Sequence, residues 1–140
     1  MKRIPARLTL STSLTALILA TGCATKERIV TVTESADGST VNIGAGDRLR
    51  VELPSNPSTG YSWQTMELNS WVLARTKRPV YTPDSAGGTD RQRMVGSGGK
   101  LAFEYEAIGV GTSPVRIAYS RQWETNTAPA KTFQLTVVVK

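Results

Sequence analysis

Histidine is absent from the chain, and cysteine occurs once, as Cys23. Without histidine the sequence lacks the side chain that most often serves as a general base near neutral pH and as a metal ligand. A single cysteine excludes an intrachain disulfide and a thiolate zinc site. These absences argue against most hydrolases, although a Ser-Lys arrangement stays open. We therefore expect no enzyme, no metal site and no cofactor.

Positive charge is modest once the N-terminus is set aside. The formal net charge is +6. Lys2, Arg3 and Arg7 belong to a basic N-terminal segment, so the rest of the chain carries about +3 by the same counting. The other basic residues are scattered, as with Arg48 and Arg50, and do not form one stripe. We therefore expect no nucleic-acid partner.

The first 23 residues have the layout of an export signal. A basic start is followed by an apolar run too short for a permanent membrane span, and then by small residues before Cys23. The segment Leu19-Ala-Thr-Gly-Cys23 resembles a bacterial lipobox. We predict a lipoprotein signal peptide over residues 1–22, a lipid-anchored tether over 23–28 and one folded domain over 29–140.

Acylation of Cys23 would anchor the protein stably, because each buried CH₂ contributes about 0.8 kcal/mol. Ala24 follows the cysteine, and in enteric bacteria a residue other than Asp at that position tends to indicate the outer membrane. We expect a bacterial envelope protein, held by lipid at the outer membrane and facing the periplasm. An ordinary signal peptide with an incidental cysteine is the alternative.

Apolar and polar residues alternate with period two through the rest of the chain, and no segment has a sustained helical stripe. Seven or eight short strands separated by turn residues predict an all-β, antiparallel β-sandwich without a disulfide. The predicted strands are Ile29–Thr33, Val41–Ile43, Arg48–Leu53, Tyr61–Met66, Lys100–Glu106, Val115–Tyr119 and Thr132–Val139, with one or two more between Ser70 and Tyr81.

Three loops between the predicted strands have unusual residue content, and loops held by a rigid scaffold often carry function. In the first, Asn56-Pro-Ser-Thr-Gly-Tyr61, proline stiffens the turn and glycine permits a positive φ. The second, residues 96–99, is Gly-Ser-Gly-Gly and offers bare backbone groups. The third contains Trp123, which either covers the edge of the sandwich or is an exposed anchor, and tryptophan and arginine dominate binding hot spots.

In combination and order, these loops closely resemble the binding loops of the chagasin family of cysteine-protease inhibitors. The family pattern is roughly Asn-Pro-Thr-Thr-Gly-Tyr/Phe, then Gly-x-Gly-Gly, then Arg-Pro-Trp, and the resemblance spans about residues 29–140. It implies an immunoglobulin-like sandwich whose loops form a wedge that reversibly blocks the cleft of papain-like cysteine proteases. Some bacterial members carry lipoprotein signals. The implied protease-binding residues are Asn56, Pro57, Ser58, Thr59, Gly60, Tyr61, Gly96, Ser97, Gly98, Gly99, Arg121, Gln122 and Trp123.

The resemblance also implies a role for each loop. Thr59 would approach the target's catalytic cysteine and histidine, the glycines of the second loop would lie along one side of the cleft, and Arg121 and Trp123 would contact the other wall. The sequence departs from the family pattern at Ser58, which keeps a hydroxyl group, and at Gln122, which replaces proline. Gln122 frees one φ angle, so we predict a less preorganised third loop.

Two other functions remain open at the level of sequence. Immunoglobulin-like sandwiches serve many purposes, so an envelope adhesion or assembly module without inhibitory activity is the main alternative. A hydrolase would need a nucleophile paired with a base, which is disfavoured by the missing histidine. We expect a monomer that binds papain-like cysteine proteases and is attached to the membrane through lipid on Cys23.

Overall fold

The computed structural model describes residues 27–84 and 98–140, which form nine β-strands in two sheets. The strands are β1 Ile29–Thr33, β2 Ser39–Ile43, β3 Arg48–Ser55, β4 Tyr61–Leu68, β5 Leu73–Arg75, β6 Val80–Pro83, β7 Gly99–Ala107, β8 Gly111–Arg121 and β9 Lys131–Val139. One sheet has the order β1-β3-β7-β5, with β6 also paired to β7, and the other has the order β2-β9-β8-β4. The predicted signal peptide, Cys23, Gly96 and Ser97 lie outside the described residues.

The core lies between the two sheets, where the alternating apolar positions meet. Leu49, Val51 and Leu53 on β3 are fully buried, as the alternation predicts. On β9 the same pattern buries all four predicted inward residues, Phe133, Leu135, Val137 and Val139. Each such side chain contributes about 1.5–3 kcal/mol when it leaves water completely.

Tyr105 is the largest fully buried side chain in the described core. Its hydroxyl lies 3.0 Å from Oγ1 of Thr65, which satisfies a polar group that would otherwise be stranded. Burial raises the pKa of Tyr105, while the hydrogen bond with Thr65 and the charge of Arg75 act in the opposite direction. The phenol therefore stays protonated beyond the pH at which an exposed tyrosine ionises.

The predicted immunoglobulin-like β-sandwich is confirmed, but two details of the prediction are wrong. The described residues contain nine strands, one more than the predicted seven or eight, because both of the short strands expected between Ser70 and Tyr81 form, as β5 and β6 along the same edge of β7. The sheets are mixed where an antiparallel arrangement was predicted: β1 pairs with β3, and β2 pairs with β9, in parallel. After β1, the 3₁₀ turn Glu34–Ala36 leads the chain across to the other sheet, so β1 and β2 do not form a hairpin.

The strand registers give the sandwich two ends. The upper end is defined by Ser55, Tyr61, Gly99, Arg121 and Lys131. The lower end is defined by Ile29, Arg48, Leu73, Ala107, Gly111 and Val139. All three candidate loops leave strands at the upper end, so the fold gathers segments that are distant in sequence.

Helical structure within residues 27–84 and 98–140 is limited to two 3₁₀ turns, Glu34–Ala36 and Pro57–Thr59. No helix in these ranges is long and apolar enough to cross a membrane. The side chains described there also contain no group of three or more potential His, Cys, Asp or Glu metal ligands.

Candidate functional site

The first candidate loop is a closed 3₁₀ turn. Asn56 caps it, with Oδ1 accepting hydrogen bonds from the backbone N–H of Ser58 at 3.2 Å and from its hydroxyl at 2.6 Å. The hydroxyl of Thr59 donates to the Asn56 carbonyl at 2.7 Å. Pro57 occupies the first turn, where its missing N–H costs nothing, and Gly60 ends the turn with a φ of 78°. The sequence thus specifies a turn that is rigid before any partner binds.

This first loop also joins the two sheets, because it connects β3 in one sheet to β4 in the other. The second loop leads into β7, which pairs with β3, and the third leaves β8, which pairs with β4. The first loop therefore lies between the other two. The three sequence-predicted segments form a single row along the upper end, as far as they are described.

The second loop is only partly exposed where the structure describes it. Gly99 is buried within β7, opposite Ser55 on one side and Pro83 on the other. A Cβ atom on Gly99 would lie 2.5 Å from the carbonyl oxygen of Thr82 and 2.7 Å from the phenol oxygen of Tyr81. This glycine is needed for close packing, so its backbone is not the freely available surface that the glycine run alone predicts.

The third loop rests directly on the first. Trp123 is 68% exposed, yet a Cβ atom built on Gly60 would lie 2.5 Å from its Cη2 atom. The indole edge therefore occupies the space that any side chain at position 60 would fill. Both readings of Trp123 apply, since it covers the edge of the sandwich and also presents most of its ring to solvent.

An aromatic row connects Trp123 to the core. The guanidinium carbon of Arg121 lies 5.9 Å from the Trp123 ring and 4.5 Å from the ring of Tyr61. Tyr61 stacks on Tyr119 at 5.3 Å, and Tyr119 contacts the buried Trp63 at 4.8 Å between centroids. Such contacts contribute about 0.5–1.5 kcal/mol each beyond the area they bury. The row fixes the exposed anchor to the scaffold.

Two residues of this surface were not predicted from the sequence. Glu124 accepts a hydrogen bond from Arg121 Nη1 at 3.2 Å and donates its backbone N–H to the Arg121 carbonyl, also at 3.2 Å, which closes the turn around Gln122. Tyr119 accepts a weak hydrogen bond, 3.4 Å long, from the backbone N–H of Asn56 and so links β8 to the first loop. The opposite charge three residues after Arg121 was the available signal for Glu124.

An open cleft of about 250 Å³ separates the first loop from the second. Asn56, Gly98 and Tyr119 line it, together with Asp84 and Lys131, which carry opposite charges. The Asp84 backbone N–H donates to the Gly98 carbonyl at 3.1 Å and so holds this wall in place. The upper end thus offers a rigid turn, an exposed aromatic face and a shallow cleft, which are features of a recognition surface.

Known proteins resemble this chain in sequence and in fold. Residues 42–137 match the family model described as Chagasin family peptidase inhibitor I42. Amoebiasin-2 of Entamoeba histolytica is 28% identical over 109 residues, which cover 78% of this chain and 84% of the relative. Chagasin of Trypanosoma cruzi is 29% identical over 96 residues, which cover 66% of this chain and 81% of the relative.

A solved structure extends the comparison to the fold. The crystal structure of the cysteine protease inhibitor EhICP2 from Entamoeba histolytica superposes with a TM-score of 0.66 at 23% identity, covering 82% of this chain and 98% of that one. The family match favours an inhibitor over the adhesion or assembly module that the sequence left open. Because the family model spans well over half of its residues, this chain belongs to the chagasin family, whose members are peptidase inhibitors and not enzymes.

Proposed function

We propose that this protein reversibly inhibits papain-like cysteine proteases by inserting the upper end of its sandwich into their active-site cleft. The observation that carries the proposal is the contact of Trp123 with Gly60, which joins the third loop to the first in one preformed surface. The structural relative EhICP2 is named a cysteine protease inhibitor, which supports the class of target.

The shape of the first loop explains how an inhibitor of this kind escapes cleavage. A peptide substrate lies extended across the nucleophile of a protease, but Pro57–Thr59 is a 3₁₀ turn and Gly60 has a left-handed conformation. The turn therefore brings the exposed Thr59 towards the catalytic groups without presenting an extended peptide bond. Gly98 and Trp123 lie on the two sides of this turn, where they contact the two walls of the cleft.

Affinity follows from rigidity and from a few anchors. A standard interface buries about 800 Å² on each partner, and a row of three short loops is enough to supply it. The capped turn and the aromatic row order the surface in advance, so little conformational entropy is lost on binding. Trp123 and Arg121 are residue types that contribute most to binding hot spots.

The direct test uses the chain without residues 1–23. All nine described strands lie within residues 27–140, and the matched EhICP2 chain consists almost wholly of this domain, so the shortened chain is expected to fold. It would be titrated against papain while substrate hydrolysis is followed. We expect competitive inhibition at submicromolar concentration.

A matched pair of variants locates the surface. Thr59→Arg places a long, charged side chain on the exposed first loop and should weaken inhibition at least 100-fold by a clash in the cleft. Thr112→Arg makes the same change at an exposed position of the lower end and should leave inhibition unchanged. A folded parent that inhibits none of several papain-like proteases would reject the proposal and return attention to the adhesion module.

We further propose that Cys23 is acylated and holds the inhibitor, as a monomer, at the outer membrane of a bacterial envelope facing the periplasm. Support comes from the lipobox-like segment and from the position of the only cysteine of the sequence at its end. In cells expressing the full chain, the parent should fractionate with membranes, and Cys23→Ser should be released after cleavage or accumulate as uncleaved precursor without lipid. Mass spectrometry of the parent that finds Cys23 unmodified would contradict the anchor.

A further inference from the structure

We propose that the lower end of the sandwich is a bilayer-contacting surface, which seats the domain on the membrane and directs the upper end away from it. Its apolar part is Trp71, Ile108 and Val110, which are called the lower apolar tip. The inference rests on the lipid anchor proposed for Cys23 and assigns to the folded domain a second, direct contact with lipid.

The lower apolar tip concentrates exposed apolar side chains in one place. Among the described residues, seven large hydrophobic side chains are exposed, and three of them belong to the tip. Trp71 is 86% exposed, Val110 74% and Ile108 53%, while the exposed Ile29 lies at the same end but at the opposite edge of its sheet. Scattered apolar residues are normal on a protein surface, but a cluster of them marks an interaction site.

The tip is held by ordered backbone, so the exposure of Trp71 is built into the fold. The backbone N–H of Trp71 donates to Oδ1 of Asn69 at 3.1 Å. The N–H of Ile108 donates to the carbonyl of Val72 at 2.9 Å, and Gly109 packs so closely on the Trp71 carbonyl that a side chain there would overlap it. The turn before β5 and the turn between β7 and β8 thus form one rigid tip.

The chain enters the sandwich at this same end, which indicates that the partner of the lower apolar tip is a lipid bilayer. The backbone N–H of Arg28 donates to Oδ1 of Asp47 at 3.3 Å, and the Asp47 carbonyl accepts from Ala107 at 2.9 Å, one residue before Ile108. Only three residues separate Cys23 from Glu27, so the four steps between them reach at most about 14 Å. Acyl chains on Cys23 are therefore confined near the lower end, and the surface they place against it is a bilayer.

Four charges of the lower end are paired with one another, which limits their attraction to charged lipid headgroups. Arg28 and Asp47 form an ion pair at 3.6 Å, and Arg48 pairs with Glu27. An indole ring favours the region between lipid headgroups and acyl chains, because one part of it is apolar and its N–H is polar. Contact should therefore occur on neutral phosphatidylcholine and should persist at high salt.

This orientation has a consequence for inhibition. β8 runs from the lower to the upper end over 11 residues, a length of about 36 Å at 3.3 Å per residue. The proposed protease-binding loops then stand clear of the headgroups, where a soluble protease reaches them. The membrane and the protease therefore contact opposite ends of the sandwich and do not exclude each other sterically.

The test exploits the single thiol of the chain. The chain without residues 1–22 begins at Cys23, so a maleimide-linked phospholipid couples only there and replaces natural acylation. The coupled protein is inserted into phosphatidylcholine vesicles with or without brominated acyl chains, and tryptophan fluorescence is measured. The matched variants are Trp71→Phe at the lower end and Trp123→Phe at the upper end.

We expect brominated lipid to quench the parent and Trp123→Phe clearly, and Trp71→Phe at least threefold less, in low and high salt alike. No quenching of the parent, or quenching that persists in Trp71→Phe, would overturn the proposal. A concentration-dependent dimer of the uncoupled domain that Trp71→Phe abolishes would also overturn it, in favour of a second copy at this surface. Trp71→Phe should inhibit papain like the parent, so failure here leaves the proposed inhibition intact, and Cys23→Ser tests the natural anchor separately.

Discussion

The two ends of the sandwich each present an exposed tryptophan, and they hold it in different ways. At the upper end, Trp123 rests on Gly60 and joins a row of aromatic and guanidinium groups that reaches the buried Trp63. At the lower end, Trp71 stands on a turn fixed by backbone hydrogen bonds and by Asn69. The upper arrangement links several loops and suits recognition of a cleft of defined shape. The lower arrangement presents a single ring and suits contact with a bilayer, which has no defined shape.

The comparison shows that exposure alone does not define a binding site. Both rings are open to solvent, but only the upper one is coupled to a capped turn and to a charged partner. Because of that coupling, small substitutions beneath Trp123 should alter the binding surface and weaken inhibition, while equal substitutions at the lower end should leave inhibition unchanged.

Among substitutions beneath Trp123, Gly60→Ala should give the largest effect, because it disrupts the contact between the first and third loops. An alanine there keeps the strain of a φ of 78° and displaces the Trp123 ring, so we expect inhibition of papain to weaken about 30-fold, or about 2 kcal/mol. Gly38→Ala is the matched control, since Gly38 has a φ of 73° with open space around it. Equal inhibition constants for the two variants would show that the Trp123 contact is irrelevant.

Arg121→Met should have a smaller effect at the upper end. Methionine retains the apolar stem but loses the contacts with the Tyr61 and Trp123 rings and with Glu124, so we expect about tenfold weaker inhibition. Arg116→Met removes a comparable ion pair from the same strand, that with Glu67, and should change inhibition less than twofold. The measurement is the inhibition constant of each variant for papain. If Arg121→Met leaves this constant unchanged, the aromatic row does not contribute to inhibition.

Tyr105→Phe should change stability while leaving both ends intact. In the parent, the pKa of the Tyr105 phenol is raised by folding. Below about pH 10 the phenol therefore keeps its proton in both the folded and the unfolded state, and its contribution to the free energy of unfolding is fully present. Above that pH the unfolded state ionises first, so stability falls as pH rises. Denaturant unfolding should show a loss of about 1 kcal/mol at pH 7 for Tyr105→Phe, from the unpaired Thr65 hydroxyl.

The same variant should lose less stability than the parent between pH 9.5 and about pH 11, where an ordinary tyrosine titrates. Inhibition of papain at pH 7 should be unaffected. Parallel stability curves for parent and variant across that range would mean that Tyr105 does not carry the alkaline sensitivity.

Gln122→Pro should have the smallest effect and should strengthen inhibition slightly. Proline restores the family pattern and reduces the freedom of the unbound loop, which stabilises the binding conformation by about 0.4–1 kcal/mol, a two- to fivefold gain in affinity. The turn is already closed by the bond from the Glu124 N–H to the Arg121 carbonyl, so a larger gain is not expected. Weaker inhibition by Gln122→Pro would show that the native φ at this position is incompatible with proline.

Local patterns in the sequence predicted the scaffold well, because burial follows strand alternation. The four inward residues of β9 and the three of β3 were readable from period two alone. The parallel pairing of β1 with β3 was not, since alternation is the same for either strand direction. The crossover after Thr33 is a property of tertiary packing.

The candidate site likewise has features that local sequence predicts and features that depend on tertiary packing. The capped turn at Asn56 follows from local rules for asparagine, proline and glycine, and the resemblance identified the loops by their order. The seat of Trp123 on Gly60 and the burial of Gly99 against Tyr81 depend on residues distant in the chain. Glycine in a loop suggests mobility from sequence alone, but here two glycines instead make room for neighbouring rings.

The most direct test of the account compares the two exposed tryptophans in one assay. Trp123→Ala and Trp71→Ala, each made in the chain without residues 1–23, would be titrated against papain beside the parent. The account predicts about 100-fold weaker inhibition for Trp123→Ala, as for a hot-spot residue, and an unchanged inhibition constant for Trp71→Ala. Equal losses in the two variants, or a loss in Trp71→Ala alone, would contradict the assignment of the upper end as the protease-binding surface.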